Sequence, residues 1–207
     1  MKRQIILISL TILLCAIGVW SFVYRPWEKG ERPFNAHKNE VVIERYDRVL
    51  DEYVSLNSYT ALNRMNTQYP QETKLLIEDV LKLGMVNEPD IEKRLRHFYL
   101  DSTVQVLLDE VHRQYSDMSD IEKDFSTVFE EQRKKNPDFR TPHIYTQVSC
   151  LNQSIVVSDT LIGISLDKYL GKDFPLYADF YKPEQRAQMN RDAIVRDAMN
   201  AYLQNLP

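Results

Sequence analysis

The stretch that decides the fold lies in the second half of the chain, where three short segments read HIYTQVSCL (residues 143–151), QSIVVSD (153–159) and TLIGISLD (160–167). Each segment is rich in β-branched residues and alternates apolar with polar side chains, a pattern that predicts strands. The polar pairs Asn152-Gln153 and Asp159-Thr160 lie where turns are needed between them. We therefore expect a small β-sheet of two or three strands here.

Helical periodicity precedes these strands. Apolar side chains recur three and four residues apart in segments 72–85, 102–115 and 119–135, the spacing of one buried helix face. A further helix is expected from Ile91, because Asn87-Glu88-Pro89-Asp90 combines a capping side chain, an early proline and acidic groups. Ser119 and Glu122 have the spacing of a capping box at the start of segment 119–135.

Helical segments also follow the strands, at residues 166–171 and 191–206. A mainly helical N-terminal half, a small sheet and further helices together define the α+β class. We expect residues 40–207 to form one α+β domain. Residues 25–39, RPWEKGERPFNAHKN, are charged, contain prolines and show no periodicity, which predicts a tether.

The N-terminus carries an export signal. Residues 5–24, IILISLTILLCAIGVWSFVY, contain no charge and follow Lys2 and Arg3. About 20 apolar residues can cross a bilayer, and the positive start stays in the cytoplasm. The residues leave three outcomes open: lipidation of Cys15 as the first residue of a lipoprotein, signal-peptide cleavage at the small residues Ala16 and Gly18, or retention as a signal anchor. Each outcome exports the remainder of the chain.

Composition excludes several functional classes. With only five glycines, the chain contains neither GxGxxG nor GxxxxGK[ST] and therefore no glycine-rich phosphate loop. A net charge of −4 argues against a nucleic-acid partner, which requires a basic face. The histidines lie too far apart in sequence for a metal site of the HExxH type; they are His37, His97, His112 and His143. We expect no metal and no small-molecule cofactor.

Nucleophilic catalysis is not predicted either. Ser149-Cys150 and Ser165 fall within predicted strands, and the chain contains no GxSxG elbow. Cys150 is the only cysteine after residue 24. Its neighbours Val148 and Leu151 favour a buried core position for this thiol over a reactive one.

Aromatic side chains are concentrated in residues 174–181, a segment that we call the aromatic loop. Such a segment is either pinned to the core by its rings or exposed as an anchor for a protein partner. The preceding block, LDKYLG (residues 166–171), is read either as structural, with Leu166 and Leu170 buried one turn apart, or as a recognition surface. The resulting candidate interaction surface consists of Asp167, Tyr169, Phe174, Tyr177 and Tyr181.

Three phrases carry a resemblance to a known family: VVIERYDRVLDE (41–52), YPQET (69–73) and LIGISLDKYLGKDFPLY (161–177). They resemble the gliding-motility-associated lipoprotein family GldB of the Bacteroidetes, and the similarity covers residues 40–207. The resemblance implies a signal peptide, a lipidated Cys15 (palmitate) and anchoring in a membrane of the cell envelope, facing the periplasm or beyond. It implies other envelope proteins as partners and no established catalytic activity.

The family is also distantly similar to zinc-peptidase-like chains, so the resemblance implies a degenerate zincin-like fold. Those chains carry HExxH after a comparable strand block, whereas the corresponding stretch here, NRDAIVRDAMNAYL (190–203), contains no histidine. Family members extend beyond residue 207, and we expect the chain to be truncated at its C-terminus. The expected function is a non-enzymatic binding or assembly component; the alternative is a metallopeptidase-like hydrolase whose metal ligands lie in a missing C-terminal part.

Overall fold

The structure, a computed structural model, describes residues 40–205. This part of the chain consists of nine α-helices and a four-stranded sheet, which confirms the α+β class. The segment expected to be a signal or anchor (1–24), its Cys15, and the expected tether (25–39) lie outside the described residues.

The helical half comes first. Its elements are β1 (Ile43–Glu44), α1 (Tyr46–Leu56), α2 (Tyr59–Thr67), α3 (Pro70–Lys74, continued by a π-helical turn over Leu75–Val80), α4 (Ile91–Tyr99), α5 (Ser102–Gln114) and α6 (Ser119–Lys135). The sheet and the last helices follow: β2 (His143–Gln147), β3 (Ile155–Val157), β4 (Leu161–Ser165), a 3₁₀ turn (Leu166–Lys168), α7 (Tyr177–Phe180), α8 (Pro183–Arg186), a 3₁₀ turn (Arg191–Ala193) and α9 (Ile194–Asn205).

Two sequence-based details of the helices are wrong. The helix expected through residue 85 ends at Val80, and Lys82 then adopts a left-handed φ of 54°. The capping box at Ser119 does not form, because Met118 is the N-cap residue of α6 and the Ser119 N–H donates to Asp117 instead. Glu122 has another role: its Oε1 accepts the backbone N–H of Ile43 at 2.9 Å and so ties α6 to the first strand.

The sheet has the order β1-β2-β4-β3. Strands β1, β2 and β4 are parallel to one another, and β3 pairs with β4 in the antiparallel sense. Three strands form between residues 143 and 167, where two or three were expected. The prediction that Ser149 and Cys150 lie within a strand is wrong, because β2 ends at Gln147. The strand that the periodicity did not reveal is β1, which has only two residues and pairs with a segment about a hundred residues away in sequence.

Aromatic packing joins the sheet to the helices. The ring of Tyr46, at the start of α1, lies edge-on to Tyr145 of β2, with ring centroids 6.2 Å apart. Gly163 of β4 is the registered partner of Tyr145, and a Cβ atom at this glycine would lie 2.5 Å from the tyrosine ring. The strand therefore contains a glycine because the ring occupies the space that a side chain would need.

Candidate functional site

The C-terminal ends of β2 and β4 lie at the same edge of the sheet, because the two strands are parallel. In α/β sheets this edge is where ligand crevices form. Here it brings the loop at residues 148–151, after β2, next to the 3₁₀ turn Leu166–Lys168, after β4. The candidate interaction residues begin in that turn.

The carboxylate of Asp167 lies at this edge of the sheet. The side chain is 0% exposed; Oδ1 accepts the backbone N–H of Ser149 at 2.8 Å and Oδ2 accepts that of Leu151 at 2.6 Å. We call Asp167 and the backbone of residues 149–151 the Asp167 network. Burial raises the pKa of Asp167, and the two N–H donors act in the opposite direction by stabilising the carboxylate.

The loop held by Asp167 has an unfavourable backbone. Cys150 and Leu151 have φ values of 54° and 65°, in the left-handed region that side chains other than glycine rarely adopt. Each such residue costs about 1–3 kcal/mol unless surrounding contacts hold it. The charge-assisted bonds to the N–H groups on either side of Cys150 supply that support.

Hydrogen bonds from the hydroxyl groups of buried tyrosines hold the backbone of the same region. The Tyr177 hydroxyl donates to the Asp167 carbonyl at 2.6 Å and accepts the Leu170 N–H at 2.9 Å. Tyr99 donates to the Val148 carbonyl at 2.5 Å, and Tyr115 donates to the carbonyl of Tyr169 at 2.6 Å. Burial raises the pKa of all four phenols, so they remain protonated donors at neutral pH; these are Tyr99, Tyr115, Tyr169 and Tyr177.

The aromatic loop is tied to the Asp167 network through Tyr181. Its hydroxyl donates to the Leu151 carbonyl at 2.7 Å, and the Lys168 ammonium lies 2.7 Å from the same hydroxyl. The ammonium also lies 4.4 Å from the centre of the Tyr181 ring, within cation–π range. The ring of Tyr177 lies edge-on to those of both Phe174 and Tyr181.

The structure brings the candidate interaction residues together but turns most of them inward. Asp167, Tyr169 and Tyr177 are buried, so their side chains cannot themselves contact a partner. The polar atoms of all three side chains are bonded within the described part of the chain: Asp167 and Tyr177 to backbone groups, and Tyr169 to the carboxylate of Asp197. The candidate surface is therefore reduced to the remaining two residues. Phe174 and Tyr181 are partly buried. The structural reading of the LDKYLG block is confirmed for Leu166 and Leu170, which are both buried.

The exposed member of the aromatic loop is Phe180, at 59% exposure, a residue outside the predicted set. Beside the start of the loop lies an open groove of about 380 Å³, lined by residues that include Gly171, Lys172 and Phe174. Sequence alone gives no sign of which ring points outward, because the spacing of rings in a short irregular segment does not follow one helix face.

The potential nucleophiles, Cys150 and Ser165, pack within the fold. Cys150 is partly buried against the core, and burial together with the Asp167 carboxylate raises the pKa of its thiol. Ser165 is fully buried in β4, where its hydroxyl accepts a hydrogen bond from the Gln147 amide at 3.2 Å. Within residues 40–205, no group of three or more His, Cys, Asp or Glu side chains is arranged to hold a metal ion.

Among residues 40–205, no helix is both long enough and apolar enough to cross a bilayer. The architecture defines an α+β protein in which a parallel strand edge is closed by the domain's own aspartate and covered by tyrosines. Next to that edge lies a surface loop rich in aromatic residues.

The chain belongs to the gliding motility protein GldB family, whose sequence model matches residues 28–207. Membership indicates a gliding-motility lipoprotein that is anchored in the cell envelope. No characterised protein and no solved structure gives a significant match to the chain. The zincin-like relationship that the resemblance implies therefore stays a prediction.

Proposed function

We propose that this protein is a non-enzymatic assembly component of the cell envelope, held at the membrane by a lipid on Cys15, and that its aromatic loop docks onto another envelope protein. The observation that carries the proposal is the exposure of Phe180. The neighbouring side chains of Tyr177 and Tyr181 are held by hydrogen bonds to the backbone. A large ring exposed next to a polar rim is the kind of anchor that protein interfaces use.

The loop is held by hydrogen bonds on its inner side, which favours binding. Tyr177 is buried and hydrogen-bonded to the backbone at Asp167 and Leu170, and Tyr181 is bonded to Leu151. A partner that meets Phe180 therefore loses little conformational entropy in this loop on binding. The groove beside Gly171 offers space for a side chain of the partner.

Site-specific photo-crosslinking in living cells tests the docking surface. A photoreactive phenylalanine replaces Phe180 in the full-length protein, and the matched control carries it at Val106, which is 48% exposed on α5. We expect a discrete cross-linked envelope protein from position 180 and none of that mass from position 106. The same product from both positions, or no product from position 180, would contradict the proposal.

The proposed anchor is tested separately by the intact mass of the mature protein extracted from native membranes. An N-terminus at Cys15 that carries acyl chains supports the lipoprotein, and Cys15→Ser should then abolish acylation and cleavage before residue 15. A mass that still includes Met1 would contradict lipidation at Cys15 and indicate a signal anchor. Neither result depends on the aromatic loop, so the two parts of the proposal can fail independently.

A further inference from the structure

A second surface with different chemistry lies in the helical half. The end of α1, the start of α2 and helix α4 enclose an open groove of about 430 Å³. The side chains that matter in its lining are Tyr53, Asn57, Tyr59, Leu62, Arg96 and Leu100. None of them belongs to the Asp167 network or the aromatic loop.

The walls of the groove are held in place by local hydrogen bonds. Asn57 ends α1 in the left-handed conformation, with φ 54°, and Ser58 caps α2 by accepting the Ala61 N–H at 3.2 Å. The Tyr53 hydroxyl donates to the Glu92 carbonyl at 3.2 Å and so joins α1 to α4 across the floor. The groove is therefore formed before any ligand arrives.

Apolar side chains on this surface are unusually exposed. Tyr59 is 81% exposed and Leu100 is 46% exposed, and both line the groove. Leu56, adjacent in sequence to Asn57, is 76% exposed. A single exposed apolar residue needs no explanation, but several around one groove are typical of an interaction site.

Four buried side-chain polar atoms of the described residues have no hydrogen-bond partner, and Arg96 Nε is the one whose residue lines this groove. This Nε is shielded from solvent and donates to no acceptor within residues 40–205. Other arginines, such as Arg45, Arg94 and Arg191, each pair with a carboxylate. A buried donor without an acceptor is unfavourable, and a ligand that supplies the acceptor relieves that cost.

The charges around the groove indicate which acceptor fits. Two cations, Lys93 and Arg96, line the groove with one carboxylate, Glu92. The Lys93 ammonium already lies 3.9 Å from the carboxylate of Asp90. The chain as a whole carries a net charge of −4. A local basic site on an acidic protein attracts an acidic segment while the rest of the surface repels it. Arginine also binds carboxylates in a two-point geometry that lysine cannot reproduce.

We propose that this groove binds a segment of a partner protein that places a carboxylate on Arg96 and a neighbouring large apolar side chain against Tyr59 and Leu100. The inference goes beyond the proposed docking role of the aromatic loop and does not rest on it. Its variants lie in other helices, so failure of one surface leaves the other intact.

The test measures binding of two labelled peptides to the full chain by fluorescence anisotropy. The acidic probe is Gly-Asp-Leu-Phe-Glu-Gly, and its neutral counterpart is Gly-Asn-Leu-Phe-Gln-Gly. We expect the acidic probe to bind about tenfold more tightly, and its affinity to fall as salt is added. Arg96→Gln should abolish the preference for the acidic probe, and Tyr59→Ala should weaken both probes.

Arg140→Gln is the matched control. It removes an exposed arginine whose side chain makes no ion pair within residues 40–205 and which lines a different cleft. We expect it to leave the preference intact. Loss of the preference in Arg140→Gln but not in Arg96→Gln would overturn the proposal, and so would equal binding of both probes or no saturable binding by the unaltered chain.

Discussion

The Asp167 network and the groove at Arg96 differ in whether their buried polar atoms have hydrogen-bond partners. In the network, both oxygens of a fully buried carboxylate accept backbone N–H groups. In the groove, a shielded guanidinium nitrogen has no acceptor. The tyrosines differ in the same manner, since Tyr177 is buried and doubly bonded whereas Tyr59 is mostly exposed.

This difference suggests that the Asp167 network contributes to stability and that the groove is suited to binding. A region whose polar groups satisfy one another contributes to folding and has little left to offer a ligand. A region that leaves a donor unpaired and rings exposed is less stable than it could be, and a partner can complete it. The comparison therefore predicts large stability losses from changes in the network and small ones from changes in the groove.

The largest expected effect is loss of stability at high pH. Burial raises the pKa of Tyr99, Tyr115, Tyr169 and Tyr177, so these phenols keep their protons in the folded state while those of the unfolded chain ionise above about pH 10. Their stabilising effect is fully present below that pH and is lost as the pH rises. Above that pH, each phenol lowers the free energy of unfolding by about 1.4 kcal/mol per pH unit, and the four together lower it by about 5.6 kcal/mol per pH unit.

Urea unfolding at pH 8, 10 and 11, together with tyrosinate absorbance, measures this effect. We expect the unfolding midpoint to fall steeply between the two highest pH values, with tyrosinate appearing as the protein unfolds. Ionisation of these phenols in the folded protein near pH 10, with an unchanged midpoint, would show that they are not shielded as the structure places them.

The next effect is that of Asp167→Asn. An amide keeps the shape of the side chain but offers only one accepting oxygen, so one of the two N–H groups at Ser149 and Leu151 loses its acceptor. Together with the strain at Cys150, this should lower the free energy of unfolding by about 2–4 kcal/mol in urea titrations.

Asp124→Asn is its control, because Asp124 is exposed on α6 and should tolerate the same change within about 0.5 kcal/mol. Equal losses in the two variants would mean that the carboxylate at 167 is not needed to hold the loop. Asp167→Asn should also make the Cys150 thiol more accessible to a thiol reagent as the loop loosens.

A smaller effect is expected from Tyr177→Phe. The ring and its contacts with Phe174 and Tyr181 remain, but the bonds to the Asp167 carbonyl and the Leu170 N–H are lost. We expect thermal unfolding to report a loss of about 1–2 kcal/mol. Tyr59→Phe removes a hydroxyl from the exposed ring of the groove and should leave the melting temperature unchanged. A loss of stability as large as that of Tyr177→Phe would contradict the difference predicted between the two regions.

The smallest effect is predicted in the groove itself. Tyr59→Ala should change the free energy of unfolding by less than about 0.5 kcal/mol, because the ring is exposed, and Arg96→Gln should lower it by no more than that, because Arg96 Nε has no hydrogen bond to lose. Urea titration of both variants measures this. A loss above 2 kcal/mol in either would identify the groove as part of the folding core and weaken its reading as a binding surface.

Much of the fold could be predicted from the sequence. The change from helical to alternating periodicity at residue 143 located β2, β3 and β4, and the apolar stripes located the long helices. These signals are local, because a helix or strand that buries one face repeats its apolar residues with its own period. Strand β1 was missed since two residues carry no period and its pairing is long-range.

The candidate site was predicted less completely. The LDKYLG block and the aromatic loop were identified as adjacent and unusual, but the sequence did not show that Asp167 faces inward. An aspartate within a short turn can cap a backbone or face solvent, and only the loop from β2, which approaches from outside the segment, decides between the two. Phe180 and Arg96 gave no signal of their own.

By itself, therefore, the sequence determined the α+β class, the order of the elements and the family resemblance, because periodicity and local motifs are written along the chain. Tertiary structure alone decided which polar groups are satisfied and which are left for a partner. Asp167 finds its donors in the loop after β2, eighteen and sixteen positions earlier, whereas Arg96 Nε finds no acceptor within residues 40–205. Satisfaction of a buried polar atom depends on which segments meet in space, and no local pattern encodes that meeting.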